Sequence, residues 1–195
     1  MKGFWAWLIS AWKSPTSEVE SSKLNGYLSL GLTVFFAAIV VNYNFYNIIH
    51  SVSFGFYSGP TFDFRLFLVS LIAAALVLFS IILGGFAVKR MVYKDGSFSF
   101  NKAFDWYGRL YAIVLPFVAF SALFSLLGIM SVSLFIVWIG LVLIGVGATF
   151  ALIYSESSTS MDPFYKYLLA IIVNGVITFI FTFIAFSLLM SLMMM

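Results

Sequence analysis

Five stretches of this chain are long enough and apolar enough to cross a lipid bilayer, and no other feature restricts its fold as strongly. A helix needs about 20 mostly apolar residues to traverse the hydrocarbon core. The candidate windows run from Leu24 to Ile49, Leu66 to Val88, Leu110 to Met130, Ser133 to Tyr154 and Tyr165 to Met193. The second carries no charge at all, and the third carries Pro116, which removes a backbone donor and predicts a kink. The second, fourth and fifth are rich in Leu, Ile, Val and Phe, each of which favours insertion by about 0.3–0.6 kcal/mol at mid-span. In the first, the most apolar part, Leu28 to Val41, is short, and a polar-aromatic stretch from Asn42 to His50 follows it. Composition supports the same solvent. Only 9% of the residues are charged and 63% are hydrophobic, whereas a soluble domain has roughly 25% charged residues. The expected fold is therefore all-α, a polytopic transmembrane bundle of about five spans.

Lysine and arginine collect on the cytoplasmic side of membrane proteins. Lys2, Lys13 and Lys23 precede the first window, Lys89, Arg90, Lys94, Lys102 and Arg109 lie between the second and third, and Lys166 begins the fifth. With the N-terminus inside, all of these are cytoplasmic and only Arg65 is outside, so the C-terminus is expected at the outer face. The predicted setting is the plasma membrane, with a multi-pass topology.

Residues 1–23 read as a separate N-terminal interfacial amphipathic segment, and residues 24–195 as the five-span domain. Phe4, Leu8, Ala11 and Trp12 recur at helical spacing with Trp5 and Ile9 beside them, against Lys2, Ser10 and Lys13. The apolar run Trp5 to Trp12 is too short for a cleavable signal core. It predicts a short helix in the plane of the interface, stopped before Pro15. The alternative is a helix docked on the bundle itself. Asp95-Gly96 reads as a turn, and Ser97 or Ser99 as the cap of a second amphipathic helix. Phe100, Ala103, Phe104 and Tyr107 line one face of that helix. Lys89, Arg90, Lys94, Lys102 and Arg109 are its candidate lipid-headgroup or partner contacts; the other reading is that they only set topology. So small a membrane-bound patch predicts no nucleic-acid partner.

The chain has no cysteine and one histidine, His50. Disulfides, thiolate metal sites and His-Glu-x-x-His zinc sites are excluded. Aspartates and glutamates fall in connections, the central parts of the spans are uncharged, and no phosphate-cradling glycine loop is present. No catalytic residue, cofactor or metal is expected. Asn42, Asn44, Asn47 and His50 form the densest uncharged polar cluster, ringed by Tyr43, Phe45, Tyr46, Phe54, Phe56 and Tyr57. They make either an outward pocket or partner surface, or an aromatic interface belt at a helix end. Asn174 lies deep in the fifth window beside Gly175, and is expected to bond across to another helix for about 0.6–2 kcal/mol. Ser80 and Gly84, and Gly147 and Ala151 with Gly140 a heptad earlier, mark faces where helix backbones can approach.

Phe4-Trp5-Ala6-Trp7-Leu8 through Trp12-Lys13-Ser14-Pro15-Thr16, and Ser99-Phe100 through Tyr107-Gly108 followed by Pro116, resemble an uncharacterised membrane family of Gram-positive bacteria. Its members often carry an N-terminal zinc ribbon, for which this chain lacks the cysteines. More broadly, five spans with an inside N-terminus and a basic second cytoplasmic segment are similar to the Yip family of membrane-trafficking proteins. The resemblance implies a non-enzymatic membrane protein and transfers no catalytic residue. Three functions follow in order of expectation: a partner-binding or envelope-organising component, alone or as a homo-oligomer in contact with membrane lipids; a transporter or exporter subunit whose polar path runs through Asn42 to His50 and Asn174; and a lipid-acting enzyme using Asp63, Glu156 or Asp162.

Overall fold

A computed structural model describes residues 3–15, 23–52, 62–153 and 161–193. These residues form seven helices: α1 (Phe4–Lys13), α2 (Lys23–Val52), α3 (Phe64–Met91), α4 (Phe100–Tyr111), α5 (Leu115–Leu126), α6 (Met130–Ile153) and α7 (Pro163–Met193). There is no strand among the described residues. Helices α2, α3, α6 and α7 are each long and apolar enough to cross a membrane, and α4 with α5 passes the same test as a pair bent by 60°. The bundle thus offers four spans, or five when the bent pair counts as one.

The weakest window of the sequence forms one of the longest helices. The backbone of α2 stays helical through Asn42 to His50 and ends only at Val52. Helix α3 is the central element, packed on α2 and α7. Asp63 starts it, its carboxylate accepting from the backbone N–H groups of Arg65 at 2.7 Å and Leu66 at 3.1 Å. Lys89 and Arg90 sit in its last turn, where the helix dipole favours cations.

The third window is broken rather than merely kinked. The chain turns through residues 112–114, and Pro116 is the second residue of α5. There its fixed φ suits a helix start, and its missing N–H costs α5 no bond within that helix. Helices α5 and α6 then form the tight hairpin expected from the short connection. Gly128 takes φ +73°, Ile129 N–H donates to Phe124 O at 2.9 Å, and Gly128 N–H donates to Ser125 O at 3.0 Å. This pair of bonds is a Schellman cap.

Small residues set the crossings. A Cβ on Gly108 of α4 would stand 2.6 Å from Gly26 Cα on α2, so the two backbones touch. Gly147 of α6 lies against Tyr111 and Leu110, and Gly140 faces Val114. The core consequently centres on α4, with Ile82, Tyr107, Tyr111 and Val114 almost wholly enclosed. Helix α7 packs mainly on α3.

Helix α1 is docked on this core. Trp7, Leu8 and Ala11 are buried against Ala112 and Leu115, with Leu32 and Phe36 of α2 alongside. Its opposite face is bare, Trp5 being 72% exposed and Ile9 47%. The docked alternative therefore describes the inner face of α1, and the outer face keeps the aromatic and aliphatic residues that suit an interface.

Candidate functional site

The polar residues singled out from the sequence lie in two separate places. At the end of the bundle that carries Asp63, Asn42 and Asn44 stand two positions apart on α2 and so face different neighbours. Asn42 is fully buried, and its Nδ2 donates to the main-chain oxygen of Asp63 at 2.6 Å. That bond ties α2 to the start of α3. Asn44 points the other way, and its Nδ2 donates to Ser133 Oγ at 3.0 Å.

Ser133 is shared by three helices. Ser121 Oγ and Ser125 Oγ of α5 lie 2.9 Å and 2.7 Å from its hydroxyl, and Ser121 Oγ also donates to its main-chain oxygen at 3.0 Å. All three serines are completely buried. Sequence reasoning passed over this knot. Its signal was a pair of serines four apart on one side of a tight hairpin and a third just beyond it. The Oδ1 atoms of Asn42 and Asn44 are buried without a hydrogen-bond partner. Asn47 and His50 belong to α2, but their side chains, like Tyr46 and residues 53–61, lie outside the described residues.

Asn174 is not brought to this cluster. It packs in direct contact with Gly84 of α3, with its Oδ1 buried and unpartnered. Asn42 meets Asp63 and Asn174 meets Gly84, positions about 30 Å apart along α3 at a rise of roughly 1.5 Å per residue. The expected bond from Asn174 to another helix is replaced by close packing on a glycine.

At the opposite end the five cations have distinct settings. Lys89 Nζ lies over the rings of Phe98 at 4.6 Å and Trp106 at 4.9 Å. Arg90 leans over Phe86 and donates from Nη1 to Gly96 O at 2.8 Å, yet stays exposed. Lys94, with φ 54°, and Lys102 are exposed. Ser99 caps α4 by accepting from Lys102 N–H at 3.2 Å. Tyr27 of α2 stacks on Phe104 at 4.8 Å and donates to Asn101 Oδ1 at 3.3 Å, so the start of α2 shares this end.

Arg109 differs from the rest, being only 5% exposed. Its Nη2 donates to Ser10 O at 3.0 Å and Ser14 O at 2.9 Å, its Nε to Ser14 O at 3.2 Å and its Nη1 to Ser10 Oγ at 3.3 Å. The carbonyls among them belong to the last turn of α1 and to its C-cap residue, Ser14, where a cation both caps the helix and complements its dipole. Trp12 adds a bond from Nε1 to Ala112 O at 2.8 Å. No group of three or more His, Asp or Glu side chains capable of holding a metal occurs among the described residues.

A family model described as a domain of unknown function, DUF6574, matches residues 1–194. The chain belongs to that family. No curated protein and no solved structure matches it. In this DUF6574 chain the match takes in both the docked helix α1 and the bundle.

Proposed function

We propose that this DUF6574 chain is a five-span protein of the plasma membrane, with its N-terminus in the cytoplasm, that works by binding a partner rather than by catalysing a reaction. In this reading it is an envelope-organising component similar in kind to the Yip family. The observation that carries it is the basic end of the bundle. Arg90, Lys94 and Lys102 are exposed together around the α3–α4 connection and the start of α4. A cytoplasmic face of this kind attracts anionic lipid, at about 1 kcal/mol per cation near the surface, and offers charge to an acidic partner. The polar side chains within the helices support the same reading, because the Nδ2 groups of Asn42 and Asn44 and the hydroxyls of Ser121, Ser125 and Ser133 bond between helices. The alternative, a transport path through Asn42 to His50 and Asn174, would need a continuous polar cavity, and Asn174 instead packs directly on Gly84 of α3.

The test is affinity purification in mild detergent of the natural chain beside an Arg90→Glu, Lys94→Glu, Lys102→Glu variant. The reading expects a protein that is enriched with the natural chain and lost on charge reversal. Recovery of the chain alone under every condition contradicts it.

A further inference from the structure

In an unbroken helix the N–H at position 116 would donate to the carbonyl of Ala112, four residues earlier. Pro116 has no N–H to give. The oxygen so deprived is the one that accepts from the Trp12 indole at 2.8 Å. A side chain of α1 therefore supplies the donor that the third span lacks at its break. On the preceding turn Arg109 completes the exchange in the other direction, giving its guanidinium hydrogens to a carbonyl in the last turn of α1 and to that of its C-cap residue, Ser14.

Each side thus answers a need of the other. A ten-residue helix such as α1 is marginal by itself and relies on packing for its order. The bent span presents a carbonyl and a guanidinium that are costly to bury unmet. We propose that α1 is a latch on the bend of the third span. Trp12 replaces the N–H missing at Pro116, Arg109 grips the α1 terminus, and docking of α1 and the 60° bend form one coupled equilibrium. An event acting on the bare face of α1, at Trp5 and Ile9, then biases the bend from outside the bundle. The latch works within a single chain and does not rest on the partner-binding reading.

The chain has no cysteine, so spin labels can be placed at will. An Ile9→Cys, Lys102→Cys pair reports the distance between α1 and α4 by double electron–electron resonance. An Ile72→Cys, Leu141→Cys pair on α3 and α6 reports the bundle. All four native residues are exposed. The natural background is expected to give one narrow α1–α4 distance. Trp12→Phe, which keeps an aromatic ring at the position and removes the indole N–H, adds a second population and lowers the docked-to-undocked ratio on the order of tenfold, as for one buried acceptor left unmet. Arg109→Gln acts in the same direction. In a Pro116→Ala background, where the helix itself supplies Ala112 with a donor, Trp12→Phe changes nothing further. An unchanged distance with Trp12→Phe, or an equal effect in both backgrounds, overturns the latch. So does broadening of the α3–α6 distance with Trp12→Phe, because the bond would then support the whole bundle instead of one hinged element.

Discussion

At Gly108 a single methyl group tests how α2 and α4 cross. Its Cβ would meet Gly26 Cα at 2.6 Å and Gly26 O at 2.8 Å, both backbone atoms that no rotamer change can move. Gly108→Ala is expected to cost about 1–3 kcal/mol, as overpacking does, and to lower the thermal midpoint in detergent. Gly145→Ala on α6 meets nothing within 4 Å, and should be neutral or gain up to about 1 kcal/mol from helix propensity. Equal midpoints for the two variants would contradict the crossing. Asp95 gives a test by pH. The Ser97 hydroxyl donates to its carboxylate at 2.7 Å and holds it below the usual carboxylate range, helped by the Ser97 N–H. A lowered folded-state pKa stabilises the connection above the ordinary Asp value of about 4, and that stability is lost as pH falls through the folded value. Ser97→Ala should raise the Asp95 titration midpoint, read by NMR; an unmoved midpoint would remove Ser97 as the cause. Arg109 shows what a residue's local sequence cannot tell. By helical position it groups with Lys102 as a surface cation, and only the packing of α1, nearly a hundred residues earlier, encloses it.

The elements themselves were legible where length and apolarity decide. α3, α6 and α7 lie close to their windows, because a long apolar run with charges only near its ends is what a bilayer-crossing helix requires. The α5–α6 hairpin was legible too, from the short connection at Gly128. Gly128→Ala should cost about 1 kcal/mol for its left-handed conformation, and leave the helix content by circular dichroism unchanged. The third window was only half legible. Pro116 announces a disruption, but a kink and a break differ by whether something else meets the freed carbonyl, and Trp12 lies far away in sequence. The serine knot was missed for a similar reason. Ser121 and Ser125 alone are ordinary residues of a membrane helix, and they acquire meaning when the hairpin returns Ser133 to them and α2 brings Asn44. Ser133→Ala strips Asn44 Nδ2 of its acceptor, while Ser121 and Ser125 keep their bonds to the main-chain oxygens of residues 133 and 121, with an expected loss of about 1–3 kcal/mol. In detergent this should appear as a lower midpoint than that of Ser131→Ala, at an exposed position of the same helix turn.

For the whole molecule, the decisive matter is the proposed number of bilayer crossings, and α4 with α5 holds the answer. The sequence treats the basic α3–α4 connection and the Gly128 turn as opposite faces, which makes five spans and separates the two ends of the chain. The structure supplies a pair of helices that passes as a span only when its 60° bend is counted in. Were α4 and α5 instead to dip in and return, the positions before and after them would share a face and the count would be four. The measurement that separates these is cysteine accessibility to a membrane-impermeant maleimide in intact and in permeabilised cells, with Phe62→Cys, Lys94→Cys and Ile129→Cys as single replacements in a chain that has no other cysteine. Five spans with the N-terminus inside require Phe62→Cys and Ile129→Cys to react in intact cells and Lys94→Cys only after permeabilisation. Ile129→Cys behaving like Lys94→Cys would contradict the five-span account.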